Sequence, residues 1–226
     1  MQYVGGKFRI AKALATYLES VRDGRPFIEP FCGGANIIAA VSGTRTASDL
    51  CEDVVLLWSA VANGWEPPTH VSESEYLSIK NSPPSALRGF VGFGCSFGGK
   101  FFGGYARSGN RNYAMNAHNA IIKKAKSLQG VSFLHRNYSE CAPENSLVYC
   151  DPPYANTTQG YSSTHFDSSL FWNIMRQWAG KNNIVLVSEY FAPSFAREVW
   201  RTETKTDMHC VGGKASRTER LFLVEK

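Results

Sequence analysis

Four consecutive residues combine chemistry with stiffness: Asp151, Pro152, Pro153 and Tyr154, at the end of the apolar run Leu147-Val-Tyr-Cys150. A proline fixes φ near about −65° and carries no N–H. It also pushes the residue before it toward extended geometry. The corner is therefore rigid and presents acceptors only, the Asp151 carboxylate and neighbouring backbone carbonyls, while Tyr154 adds a flat aromatic face. An uncharged amino group with two N–H donors matches such acceptors, and the ring that bears it can stack on the tyrosine. That combination describes the exocyclic amine of a nucleobase, most simply N6 of adenine. Two acceptors help to localise a lone pair otherwise delocalised into the ring, and they stabilise positive charge growing on nitrogen during attack. The plain alternative is a Pro-Pro turn capping a strand; the flanking Asp151 and Tyr154 and the apolar strand before them weigh against it.

Such a corner needs a sheet to carry it. Phe27-Ile28 before Glu29 is a short apolar run suited to a buried parallel strand. Gly33-Gly34 is expected to open a helix through Asn36–Val41, and Thr46-Ala-Ser48 to lead along a second strand into Asp49. A helix is expected over Val54–Ala62, closed near Gly64 and Pro67-Pro68. This is a βαβα start. Further strands are read at Val131–Leu134, Leu147–Cys150 and Ile184–Val187, with a terminal, antiparallel strand at Arg220–Val224. Helices are read at Ala117–Leu128, Phe166–Ala179 and, briefly, Phe195–Trp200. Residues 89–113 are dense in glycine and aromatics without a clear period, which disfavours helix and strand interiors alike. The organisation expected is an α/β core at 1–72 and 117–226, interrupted by a loop-rich insertion at 73–116. In an open α/β sheet ligands bind beyond the carboxyl ends of the strands, where Asp151 sits.

The totals narrow the classes. The chain has 226 residues, 43% hydrophobic and 19% charged, enough for one large core. No apolar run approaches the roughly 18 residues of a membrane helix. The first ten residues lack a signal-peptide core, so a soluble chain in a reducing cytoplasm is expected. The six cysteines form no C-x-x-C pair and read as small core residues, with no metal expected. From Tyr76 through Ser139 there is no acid but nine Lys and Arg, although the whole chain carries only +5. A long stretch of one positive sign points to a polyanionic partner. Lys100, Arg107 and Arg111 lie there among Phe97, Phe101, Phe102, Tyr105 and Tyr113, an interleaving that suits clamping a nucleic-acid backbone. The same aromatics could instead form a small core for the insertion. Gly-Gly-Lys occurs three times, but the residues that follow (Phe8, Phe101, Ala215) break the P-loop pattern. Cys32-Gly-Gly-Ala35 likewise fails the dinucleotide fingerprint.

Taken together the motifs resemble the Dam-like DNA adenine-N6 methyltransferases, in which Asp-Pro-Pro-Tyr is the catalytic signature. Tyr3-Val-Gly-Gly-Lys7 is similar to the family's N-terminal aromatic-x-Gly-Gly-Lys motif. Phe27-Ile-Glu-Pro-Phe-Cys-Gly-Gly-Ala-Asn36 resembles its S-adenosylmethionine (SAM) loop, and Ser48-Asp49-Leu50 its second acidic contact. Val211-Gly-Gly-Lys-Ala-Ser-Arg-Thr-Glu-Arg-Leu221 resembles its basic loop before the last strand. The likeness covers both ends well and the middle loosely. It departs at Tyr3, where tryptophan is common, and at Glu189, where asparagine is more familiar.

The resemblance implies a Rossmann-like SAM-dependent methyltransferase sheet with helices on both faces and a small loop-rich or helical target-recognition insertion. It implies site-specific methyl transfer from SAM to adenine N6 in double-stranded DNA, leaving S-adenosylhomocysteine. Catalysis falls to Asp151, Pro152, Pro153 and Tyr154. SAM falls to Tyr3, Lys7, Glu29, Pro30, Phe31, Gly33, Gly34, Asp49, Asn137, Tyr138 and Asp151. DNA contacts fall to Lys100, Arg107, Arg111, Lys214, Arg217 and Arg220. The expected partner is duplex DNA in a bacterial or phage-infected cytoplasm, met by a monomer that can pair on DNA, without metal or membrane. Transfer to RNA adenine or to a protein amide, or an inactive DNA-binding protein that keeps the fold, are the competing readings.

Overall fold

The computed structural model describes residues 1–153, 166–205 and 216–226. Tyr154 and Lys214 lie outside these residues. Seven strands form one sheet: β1 Phe27–Glu29, β2 Arg45–Asp49, β3 Val131–His135, β4 Leu147–Cys150, β5 Ile184–Ser188, β6 Ala196–Lys205 and β7 Ser216–Val224. Their order is β3-β2-β1-β4-β5-β7-β6. The first five run parallel, while β7 is antiparallel to both its neighbours. The chain starts at the centre, winds outward through β2 to β3, then returns to β4 beside β1. The direction of winding reverses between β1 and β4, and that reversal opens a crevice at their carboxyl ends.

Helices cover both faces: α1 Ala11–Arg22, α2 Glu52–Ala62, α3 Glu73–Lys80, α4 Ala86–Gly94, α5 Tyr113–Leu128 and α6 Ser168–Gly180. Strand alternation divides the core. Leu147, Tyr149 and Leu186 join Leu14, Leu18, Trp58 and Phe90 on one side. Val148, Cys150, Val185 and Val187 join Phe171, Met175 and Trp178 of α6 on the other. β4 is buried along its whole length, as a central parallel strand between two helical layers must be.

Three expectations are corrected. Residues 33–41 form successive turns, not a helix: Gly33 and Ala35 take φ of 41° and 49°, and a left-handed residue cannot continue a right-handed helix. Phe195–Trp200 is not a helix, because β6 starts at Ala196 and pairs with β7, whose ladder supplies the hydrogen bonds a short helix would have made internally. Within the glycine-rich segment, Ala86–Gly94 is a buried helix. A Cβ on Gly89 would sit 2.3 Å from the Asp53 carbonyl oxygen, and one on Gly92 2.3 Å from the Phe101 ring. These glycines let α4 lie close against α2 and the aromatic turn after it, so packing outweighs their poor helix propensity. The helix α1 has no counterpart among the expected elements; Leu14 and Leu18, one turn apart, anchor it. Among the described residues no helix is long and apolar enough to cross a membrane.

Candidate active site

Because β2, β1 and β4 are parallel neighbours, their last residues share one edge of the sheet. That edge carries three acids: Glu29 ends β1, Asp49 ends β2, and Asp151 directly follows β4. Pro152 behind Asp151 is buried and Pro153 is exposed, so the corner faces outward over a fixed base.

Lys7 meets this edge from the N-terminal segment just before α1. Its ammonium is buried and lies 2.8 Å from Asp151 Oδ1 and 3.6 Å from Oε2 of Glu219 on β7. Burial alone would lower the Lys7 pKa, but Asp151 and Glu219 outweigh it and hold the group above its ordinary value. Glu29 is 2% exposed, and its Oε2 has no hydrogen-bond partner among the described residues. Burial, reinforced by the Asp151 charge, raises its carboxyl pKa well above the usual range, despite a hydrogen bond from the Ile38 N–H and the nearby Lys124. A buried acid with an unsatisfied oxygen is costly unless a cation or donor reaches it.

The turn after β1 is clamped from several sides. Asp49 Oδ2 accepts the Gly33 N–H at 2.8 Å and Oδ1 accepts the Cys51 N–H at 2.9 Å. Burial lifts the Asp49 pKa, and those two N–H groups limit the rise. Trp58 Nε1 donates to the Gly33 carbonyl at 2.8 Å, and Lys124 Nζ to the Gly34 carbonyl and Asn36 Oδ1 at 2.5 and 2.8 Å. A side chain at Gly33 would place its Cβ 2.7 Å from the Tyr3 ring, so the aromatic of the N-terminal motif packs directly on the glycine turn. Burial lowers the Lys124 pKa to about 8, against the pull of Glu29 and Cys32. Beside the turn Phe31 packs on Tyr138 at 5.1 Å, with Phe166 and Phe171 completing an aromatic wall. Asn137 Oδ1 caps the turn at Tyr138 by accepting the Ser139 N–H at 3.0 Å.

The structure therefore brings Tyr3, Lys7, Glu29, Pro30, Phe31, Gly33, Gly34, Asp49, Asn137, Tyr138 and Asp151 to the carboxyl edge or to the segments that frame it. The basic residues lie differently. Lys100 and Arg111 are exposed, Arg111 over the Tyr113 ring at 5.2 Å. Arg107 is exposed but paired with Glu73 and set over Tyr105. Arg220 is 3.6 Å from Glu198 on the neighbouring strand. Arg217 lies on β7, its side chain outside the described residues. The acid-free window thus borrows acids from elsewhere, since Arg88 also pairs with the buried Asp53. Of its aromatics, Phe101, Phe102 and Tyr105 pack with Tyr76 and Phe93 as core, while Phe97 is 70% exposed.

Sequence reasoning passed over Glu219, Lys124 and Trp58. An acid inside the otherwise basic run Lys214–Arg220, directly before an apolar strand, is the signal that singles out Glu219. Lys124 and Trp58 carry none, since each reaches the glycine turn only through helix packing.

Residues 3–85 match the family model of the D12 class N6 adenine-specific DNA methyltransferases. Two curated relatives, each named DNA adenine methylase and found in strains of Vibrio cholerae serotype O1, are 24% identical over 228 aligned residues, covering 84% of this chain and 80% of theirs. These two findings show the likeness to adenine-specific DNA methyltransferases. Among solved structures, magnesium protoporphyrin IX methyltransferase from Synechocystis PCC 6803 with bound SAM aligns with a TM-score of 0.43 at 11% identity, over 99% of this chain and 81% of that one. Precorrin-6y C5,15-methyltransferase from Geobacter metallireducens GS-15 aligns with a TM-score of 0.42 at 6% identity, over 95% and 86%.

Proposed function

We propose that this chain is a SAM-dependent, site-specific DNA methyltransferase that methylates N6 of adenine in double-stranded DNA. The observation that carries the reading is the acid-rich carboxyl edge, where the buried Glu29 Oε2 has no hydrogen-bond partner among the described residues. Four carboxylates (Glu29, Asp49, Asp151 and Glu219) gather there with two lysines, Lys7 and Lys124, so the edge suits a ligand that is itself cationic. SAM fits: it carries a sulfonium, an ammonium and a ribose diol, and no phosphate that these acids would repel. Glu29 would take the ammonium, Lys7 the carboxylate and Asp49 the ribose hydroxyls, with Tyr3 and Gly33-Gly34 allowing close backbone approach. Pro30 sets the turn, and Phe31, Asn137 and Tyr138 would border the adenine ring. When bound, SAM supplies an electrophilic methyl group.

The chain's own residues do the rest. Asp151 and the carbonyls of the proline corner accept the two N–H bonds of the target amine and turn its lone pair outward. Pro152 and Pro153 keep competing donors away, and Tyr154 stacks on the extruded base. Holding reactants in this manner can lower a barrier by about 7–11 kcal/mol. Extruding the base costs a few kcal/mol, which duplex contacts must offset. We assign those contacts to segment 73–116 through Lys100, Arg107 and Arg111, and to Lys214, Arg217 and Arg220 near the last strand. The chemistry needs neither a metal nor a histidine base. A monomer in the bacterial cytoplasm, able to pair on DNA, meets these requirements.

The experiment is incubation of unmethylated duplex DNA with the protein and labelled SAM, followed by nucleoside analysis and mapping. N6-methyladenine at a defined sequence is expected. Label on cytosine N4, or on RNA or protein alone, overturns the reading.

A further inference from the structure

Two helices grip the glycine turn through contacts that none of the sequence motifs contains. Trp58 of α2, fully buried, donates its Nε1–H to the Gly33 carbonyl at 2.8 Å. Lys124 of α5 donates to the Gly34 carbonyl at 2.5 Å and to Asn36 Oδ1 at 2.8 Å. The Lys124 ammonium also lies 5.0 Å from the centroid of the Trp58 ring, so the two side chains steady each other.

These contacts fix the direction of the backbone. Among the described residues every peptide bond is trans. In a trans peptide the carbonyl and the N–H that follows it point in opposite directions. With the Gly33 carbonyl held on Trp58, the Gly34 N–H is aimed away from Trp58. Gly34 is buried, and that N–H has no hydrogen-bond acceptor among the described residues. Its neighbours are satisfied: the Gly33 N–H donates to Asp49, and the Ala35 N–H to the Cys32 carbonyl at 2.7 Å. A buried N–H without an acceptor is rare, and it suits a ligand that brings one.

We propose that Lys124, working with Trp58, is a positioning residue of the cofactor turn, holding the Gly34 carbonyl back so that the Gly34 N–H meets an acceptor oxygen of SAM. This inference rests on the reading of the carboxyl edge as a SAM site. The turn needs such support, because Gly33 and the non-glycine Ala35 both take left-handed φ, 41° and 49°. Such conformations persist only where the surroundings over-determine them. The role of Lys124 is one of geometry, since both acceptors of its hydrogen bonds are neutral oxygens. Glu29 and Cys32 draw on its charge, but among the described residues no carboxylate lies within ion-pair distance of it. A lysine amine that has lost its proton still keeps two N–H bonds, enough for both acceptors.

SAM is a sulfonium and S-adenosylhomocysteine is not, and that difference separates the possible roles. A brace serves the parts that both molecules share, so its loss weakens both alike. A role through charge alone would act on SAM selectively, because removing a nearby positive charge tightens a sulfonium relative to a neutral thioether. A role in packing α5 alone would lower the melting temperature and leave both affinities in place.

The test is calorimetric titration of SAM and of S-adenosylhomocysteine into wild type, Lys124→Met and Lys124→Arg, with melting temperature and steady-state methylation measured alongside. Lys124→Met keeps the apolar stem and removes the donors. It is expected to raise both Kd values about tenfold and to keep their ratio within roughly twofold of wild type. KM for SAM should rise with them, while kcat falls by less. Lys124→Arg retains donors on a longer arm and should restore part of the lost affinity. Should the methionine variant fail to fold, Lys124→Gln, too short to reach both acceptors, carries the same expectation. Affinities equal to wild type in whichever variant folds, or SAM gaining on S-adenosylhomocysteine, overturn the inference. Failure of the wild type to bind SAM instead overturns the reading of the site.

Discussion

The carboxyl edge of the sheet and segment 73–116 use charge in opposite ways. At the edge, charged groups are buried or half-buried and fixed: Lys7 between two acids, Asp49 holding two backbone N–H groups, Lys124 gripping the glycine turn. In the segment, Lys100, Arg107 and Arg111 are exposed, Arg107 over the Tyr105 ring and Arg111 over that of Tyr113. Burial makes each charge at the edge sensitive to its neighbours, because little water screens it. Exposure makes the segment's charges interchangeable, suited to a repeated anionic backbone but not to placing one atom. The two regions meet where Arg88 of α4 pairs with Asp53 of α2, a part-buried tie between the basic segment and the core.

Four measurements strain this contrast, from the largest effect to the smallest. Asp151→Ala should reduce methyl transfer by about 10²–10³-fold or more, while gel shifts on duplex DNA stay at wild-type affinity; loss of both together would mean that the regions are not separable. Arg88→Ala should destabilise the fold by about 3–5 kcal/mol in denaturant titrations, because it leaves the buried Asp53 carboxylate unpaired. A cost below about 1 kcal/mol would show the tie to be a surface pair. The double variant Lys100→Ala with Arg111→Ala should weaken DNA binding and reduce the salt-dependence slope by about one per lost phosphate contact. SAM affinity, measured by calorimetry, should not change.

The smallest effect concerns Lys124, whose pKa is lowered from 10.5 to about 8. Between those values the unfolded chain still holds the proton and the folded protein has released it. Stability from this group therefore rises with pH across the window and is lowest below it. Compared with Lys124→Met, wild-type stability should rise between about pH 8 and 10 by on the order of 1 kcal/mol. Lys7, raised rather than lowered, adds the opposite slope only above its unfolded value of 10.5. A flat difference between the two proteins would show that Lys124 stays charged inside.

Legibility differed between the regions for a physical reason. Glu29 and Asp151 could be read because each follows an apolar run, and Asp49 because it closes the expected second strand; a parallel sheet puts such positions on one edge whatever the loops do. Residues 86–94 could not, because Gly89 and Gly92 are set by the closeness of Asp53 and Phe101, which are distant in sequence or lie in the following turn. Phe101, Phe102 and Tyr105 likewise read equally well as nucleic-acid contacts or as core until Tyr76 and Phe93 were seen against them.

The sequence by itself determined the chemical kind of the site: a donor-free aspartate corner, a glycine turn without a phosphate motif, and two further acids at strand ends. These are local patterns, and stiffness, charge and strand-end position survive in the linear order of residues. Only the tertiary structure decided which charges share a partner. Glu219 reaches Lys7 across more than two hundred residues because β7 turns back against β5, and Lys124 reaches the glycine turn because α5 packs beside it. Coulomb energy depends on distance through space and on burial, and neither is written in the spacing of residues along the chain.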